Sequence, residues 1–150
     1  MSQQNKKTLV VLMADDDDDY YLLTKQAFEE ACPGQQLYRV EDGVELMSYL
    51  KAEGKYQGSL RPHVILLDLN MPRKNGRQVL QEIKMDPNLR QIPIVILTTS
   101  KAEHDIKELY QSGAHSYIGK PLGFNQLVDV IKIFCRYWSE TIELPFYGKT

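Results

Sequence analysis

Residues 64–72 read Val64-Ile65-Leu66-Leu67-Asp68-Leu69-Asn70-Met71-Pro72. Four apolar residues in unbroken succession suit a strand covered on both faces, because a strand with one wet face alternates apolar and polar residues. A carboxylate follows the run directly. The pattern recurs along the chain: Leu9–Met13 precedes Asp15 and Asp16, Ile94–Leu97 precedes Thr98, and Ser116–Ile118 precedes Lys120-Pro121. Leu37–Val40 makes a further strand. Helical spacing fills the intervals. Tyr20, Leu23, Ala27, Phe28 and Ala31 lead to a stop at Pro33-Gly34. Leu46, Met47 and Leu50 mark a second helix, and Val79, Leu80 and Ile83 a third that ends at Asp86-Pro87-Asn88. Ile106, Leu109 and Tyr110 mark a fourth closed by Gly113, and the fifth runs from about Phe124 to Trp138. Five strand–helix units predict an α/β fold, a doubly wound five-stranded parallel sheet with helices on both faces.

The chain has 150 residues, 43% of them hydrophobic, which suits one domain with a single core. Lys and Arg total 18 against 20 Asp and Glu, a net charge of −2 that argues against direct nucleic-acid binding. No apolar run approaches the roughly 20 residues of a membrane span. The apolar stretch after Lys6-Lys7 is too short for a signal peptide. Cys32 and Cys135 have no metal spacing and read as reduced core thiols, so a cytoplasmic location is expected.

In a parallel sheet, ligands bind outside the carboxyl ends of the strands. Those ends carry Asp15 to Asp19 after the first strand, Asp68 and Asn70 after the third, Thr98, Thr99 and Ser100 after the fourth, and Lys120 after the fifth. Clustered carboxylates repel unless a cation intervenes. Oxygen-only ligands suit a hard ion such as Mg²⁺, which bridges readily to phosphoryl oxygens. An ammonium and a hydroxyl complement the remaining oxygens of a phosphoryl group, and a carboxylate can serve as its nucleophile. Taken singly these residues have plainer readings. Asp17, Asp18 and Asp19 suit a solvated helix start, Asp68 a turn, Thr98 a strand-end hydroxyl and Lys120 a surface charge.

Taken together, the chain resembles the receiver domain of two-component response regulators. The resemblance rests on Asp15-Asp16, on Leu66 to Pro72 through Gly76, on Thr98, and on Tyr117 with Lys120-Pro121, and it spans about residues 7–140. It implies a flavodoxin-like (βα)5 receiver domain over 7–140 with a tail over 141–150. It implies that Asp68 accepts a phosphoryl group from a phosphohistidine of a sensor histidine kinase or phosphotransfer protein. Asp15, Asp16, Asp68 and the backbone carbonyl of Asn70 would hold Mg²⁺. Lys120 would pair with the phosphoryl group, Thr98 would bond to it, and Tyr117 would turn inward as part of the switch. Such a chain is a phosphoprotein that catalyses its own phosphorylation and slow dephosphorylation, not a conventional enzyme. The Lys120-Pro121 bond is expected to be cis. Thr99 stands where a smaller residue is usual, and Ser100 at a variable position. The long loop Lys51–Pro62, the Leu66–Gly76 segment and the tail with Trp138 and Glu143-Leu144-Pro145 look most like stand-alone regulators that partner phytochrome-type histidine kinases.

The last helix carries two apolar stripes. Phe124, Leu127, Val128, Ile131, Phe134, Cys135 and Trp138 face the core, while Val130, Ile133 and Tyr137 form a second stripe. The second predicts a partner surface or a homodimer interface, with Ile142, Leu144, Phe146 and Tyr147 extending it. Three rival functions fit less well. An aspartate-nucleophile phosphatase needs an acid where Asn70 stands. A nucleotide- or flavin-binding module needs a Gly-rich turn where the aspartates stand. An unphosphorylated interaction module would not need the whole set, and a relay intermediate differs only in where the phosphoryl group goes next.

Overall fold

A computed structural model describes residues 8–99 and 103–141 of the protein. The strands are β1 (Val10–Ala14), β2 (Gln36–Val40), β3 (Val64–Leu67), β4 (Ile94–Thr98) and β5 (Ser116–Gly119). The helices are α1 (Asp18–Ala31), α2 (Gly43–Leu50), α3 (Gly76–Met85), α4 (Glu103–Gln111) and α5 (Phe124–Cys135). The five strands are parallel in the order β2-β1-β3-β4-β5. Every residue of β1, β3 and β4 is buried, as their unbroken apolar runs require. One face of the sheet packs against α2, α3 and α4 through Leu46, Leu80, Ile83 and Leu109. The other packs against α1 and α5 through Ala27, Phe28, Leu127, Ile131 and Phe134.

Local chemistry sets the helix starts. Asp17, Asp42 and Asn75 cap α1, α2 and α3, each accepting from a backbone N–H three residues on. Asn75 and Gln78 bond reciprocally as a capping box. The loop after α2 contains a single 3₁₀ turn, Gly54–Tyr56.

Four expectations need correction. Leu23 is exposed at 39%, and Thr24 lies fully buried in its place, its hydroxyl satisfied by Tyr20 O at 2.8 Å. A buried Thr with its own backbone acceptor is invisible to a count of apolar spacing. The last helix does not run as one α-helix to Trp138; α5 ends at Cys135 and a π-type segment, Arg136–Thr141, follows. The described residues contain no cis peptide bond, so Lys120-Pro121 is trans. Cys32 and Cys135 are joined as a disulfide rather than left as thiols. Cys32 caps α1 and Cys135 closes α5, and because these helices lie side by side their Cα atoms come within 6.5 Å across 103 residues.

Candidate functional site

The carboxyl ends of β1, β3, β4 and β5 converge at one edge of the sheet, as the register of the parallel pairs demands. Asp15 is buried just beyond β1, where its N–H donates to Val40 O at 3.1 Å and its Oδ1 accepts from Asp17 N at 2.9 Å. Asp16, Asp17, Asp18 and Asp19 are exposed. The aspartate run therefore divides into a buried member, a neighbour at the site and a solvated helix start. Asp68 is buried at the end of β3, with its N–H on Ala14 O at 3.0 Å and its Oδ1 accepting from Asn70 N at 3.3 Å.

Lys120 enters this group from the end of β5. Its Nζ lies 2.8 Å from Asp15 Oδ2 and 3.3 Å from Asp68 Oδ2, and all three side chains are buried. Burial alone would lower the lysine's pKa, but the bond to Asp15 and the charges of both aspartates outweigh it and push it up. Asp15 is also held above the ordinary carboxylate range: burial dominates, Asp68 adds repulsion, and Lys120 offsets only part. Two carboxylates share one ammonium, so the cluster retains uncompensated negative charge.

Asp15, Asp16 and Asp68 each offer an oxygen, and these atoms all lie within 4.8 Å of one another. The donor set contains neither nitrogen nor sulfur, which is the chemistry of a hard divalent cation. Asn70 lies beside this group in the loop after β3 and its side chain is exposed, so only its backbone is fixed relative to Asp68. That loop is pressed tightly under α3: a Cβ added at Gly76 would sit 2.6 Å from Asp68 O and 2.8 Å from Leu69 Cα.

Thr98 ends β4, fully buried, and among the described residues its Oγ1 has no hydrogen-bond partner. Thr99 is exposed, and Ser100 lies outside the described residues. Tyr117 is half-buried on β5, packed against the core beneath α4, and its N–H donates to Tyr110 Oη at 3.1 Å. The structure thus brings Asp15, Asp16, Asp68 and Lys120 into one cluster.

Three contacts between distant segments escaped the sequence reading. Tyr20, counted there as a core residue, places its ring 4.4 Å from Lys120 Nζ. Arg39 at the end of β2 donates to Asp15 O at 2.9 Å and pairs with Asp18 at 2.8 Å. Arg73 in the loop after β3 grips Asp42 with two N–H groups at 2.9 and 2.6 Å, while Gly43 N–H donates to Lys74 O. Each contact crosses between elements far apart in the chain, and no local pattern signals it.

Residues 11–132 match the model of the response regulator receiver domain. The chain belongs to this family. The receiver is 37% identical over 123 residues to response regulator Rcp1 of Synechocystis sp., covering 82% of this chain and 84% of that protein. It superposes with a TM-score of 0.86 on a crystal structure of the phosphorylated cyanobacterial phytochrome response regulator RcpA, at 38% identity, covering 93% of this chain and all of that one (100%). The Mn²⁺-bound form of Rcp1 matches with a TM-score of 0.83 at 36% identity, over 92% of this chain and 99% of that one. The parallel five-stranded sheet expected from the strand–helix order, and the flavodoxin-like receiver fold that the resemblance implied, are the observed ones.

The receiver has a second distinctive surface. Val130, Ile133 and Tyr137 are partly or well exposed, Ile133 at 70%. With Ile118, His115 and Trp138 they line an open apolar groove of about 410 Å³ between β5 and α5. The core stripe of α5 is buried as expected, apart from half-buried Phe124. Residues 142–150, with Ile142, Leu144, Phe146 and Tyr147, lie outside the described residues. No described helix is long and apolar enough to cross a membrane.

Proposed function

We propose that this chain is a stand-alone response regulator that accepts a phosphoryl group on Asp68 from a histidine kinase phosphohistidine, with Mg²⁺ as cofactor. The observation that carries this is the buried Asp68 carboxylate, set 3.3 Å from the Lys120 ammonium and grouped with Asp15 and Asp16. In the transfer an Asp68 Oδ attacks phosphorus. The new O–P bond forms as the donor's N–P bond breaks, and the electron pair leaves with the imidazole, which is protonated. Asp15, Asp16, Asp68 and the Asn70 carbonyl would hold Mg²⁺, which when bound would supply positive charge against the phosphoryl oxygens. Lys120 supplies a second positive charge. Thr98, whose buried hydroxyl has no partner among the described residues, moves to donate to a phosphoryl oxygen, and Tyr117 follows inward. Asn70 cannot act as an acid or base, so the acyl phosphate is lost slowly rather than turned over as in a phosphatase.

The likeness to a phytochrome response regulator supports a phytochrome-type kinase as donor. The receiver unit spans 7–140 and the tail 141–150. The exposed stripe Val130, Ile133 and Tyr137 supports a homodimer through α5, since an apolar groove beside an edge strand favours burial. Sedimentation of the protein beside an Ile133→Asp, Tyr137→Asp variant tests that assembly; a wild-type monomer at high concentration, with and without acetyl phosphate, rejects it.

The central experiment is incubation with acetyl phosphate and Mg²⁺, followed by intact-mass measurement. One hydroxylamine-sensitive phosphoryl group is expected, and none in Asp68→Asn. Equal uptake by the variant rejects Asp68 as acceptor. No uptake by the wild-type protein from either acetyl phosphate or a phosphohistidine donor favours an unphosphorylated interaction module.

A further inference from the structure

We infer that Tyr20 is a positioning residue for phosphoryl transfer: its aromatic face holds the Lys120 ammonium at the acceptor carboxylate. The inference rests on the reading of Asp68 as acceptor and goes beyond it to the lysine's placement. Tyr20 sits in the first turn of α1, anchored there by its own backbone. Its N–H donates to Asp17 Oδ1 at 3.0 Å, and its carbonyl accepts from Thr24 Oγ1 at 2.8 Å. The ring is half-buried against the core between the sheet and the α1–α5 layer. From that position it faces Lys120 Nζ at 4.4 Å from the ring centroid, well within cation–π range.

The ammonium therefore has two kinds of partner. Asp15 Oδ2 and Asp68 Oδ2 hold it at 2.8 and 3.3 Å, and the Tyr20 face holds it without competing for a hydrogen bond. A lysine on a flexible four-carbon stem needs such a guide, because its charge is compact and its rotamers are many. Asp68 cannot guide it throughout the reaction. Asp68 gives up its carboxylate charge when it becomes an acyl phosphate, and Lys120 must then follow the new phosphoryl oxygens. The aromatic face keeps attracting the ammonium while its anionic partner changes. Among the described residues the buried Tyr20 hydroxyl has no hydrogen-bond partner, so the ring alone performs this contact.

The test uses the intact protein with acetyl phosphate and Mg²⁺. Tyr20→Leu removes the π face and keeps apolar bulk, and uptake is expected to slow by roughly three- to thirtyfold, the range open to a cation–π contact. Tyr20→Phe restores the π face and is expected to recover uptake. In a Lys120→Ala background, Tyr20→Leu has no further effect, because the group it positions is gone. Carbon–proton correlation spectra give a second readout independent of transfer. The Lys120 ε-methylene resonances are shifted upfield by the ring in wild-type protein and in Tyr20→Phe, and return to ordinary values in folded Tyr20→Leu. An unchanged rate in Tyr20→Leu, equal slowing in Tyr20→Phe, multiplicative losses with Lys120→Ala, or an absent upfield shift each overturns the inference. Failure of Asp68→Asn to block uptake overturns the underlying acceptor assignment instead, and the two failures are read from separate variants.

Discussion

Lys120 Nζ lies 2.8 Å from Asp15 Oδ2, nearer than to Asp68, whose Oδ2 stands at 3.3 Å. The lysine is thus shared between a proposed metal ligand and the proposed acceptor. Removing it leaves two buried carboxylates without their cation, a change that costs a few kcal/mol in buried pairs. Lys120→Met is expected to lower the thermal midpoint in metal-free buffer. Added Mg²⁺ should restore more of that loss than it adds to wild-type protein. Thermal melts with and without Mg²⁺ measure both, and equal Mg²⁺ stabilisation of the two proteins contradicts the shared-charge account.

Asp15 binds its proton more tightly than an ordinary carboxylate, because burial and the neighbouring Asp68 outweigh the help of Lys120. Its folded pKa is raised, so its contribution to stability is fully present below the unfolded pKa and is lost as pH rises through the folded value. A metal must displace that proton. Mg²⁺ affinity is therefore expected to weaken as pH falls, starting above the ordinary Asp value of about 3.9. Mg²⁺ titrations across pH follow this, and an affinity flat down to about pH 4 speaks against it.

Thr98 Oγ1 is buried and, among the described residues, has no hydrogen-bond partner. An isosteric apolar group removes that unsatisfied hydroxyl, so Thr98→Val should stabilise the unphosphorylated protein by about 1 kcal/mol. The same variant should blunt the spectral change that follows phosphorylation. Urea denaturation gives the first quantity and Trp138 fluorescence with acetyl phosphate the second. A destabilised Thr98→Val shows instead that the hydroxyl is satisfied in the resting protein.

Gly76 lies against backbone that cannot move aside: its added Cβ meets Asp68 O at 2.6 Å and Leu69 Cα at 2.8 Å. Gly76→Ala should cost about 1–3 kcal/mol, as overpacking does. It should also slow phosphoryl uptake by displacing Asp68. Denaturation and uptake measured on one preparation check both, and a stable, fully active variant refutes the close approach.

Cys32 and Cys135 close a loop of 103 residues between α1 and α5. Loop closure of this size stabilises by about 2–4 kcal/mol in the typical case. Protein purified without reductant should show no free thiols in guanidinium, and two after reduction, with a lower denaturation midpoint. Two free thiols before reduction leave the cysteines as the sequence suggested.

Much of this molecule was legible in one dimension. The unbroken runs at β1, β3 and β4 are buried on both faces, and apolar succession reports that directly because no water-facing residue interrupts it. Alternation with helices then dictates a parallel sheet, and a parallel sheet gathers the ends of its strands at one edge. Asp15, Asp68, Thr98 and Lys120 could therefore be named in advance, since each directly follows a strand or, for Thr98, ends one. The tertiary structure decided what depends on distance across elements. It separated buried Asp15 from exposed Asp18 within one aspartate run, turned Tyr20 toward Lys120, and brought Cys32 beside Cys135. Periodicity assigns a residue to a face, but neighbours on that face come from distant segments. Only the packing of α1 against α5 and the sheet determines which side chains meet there.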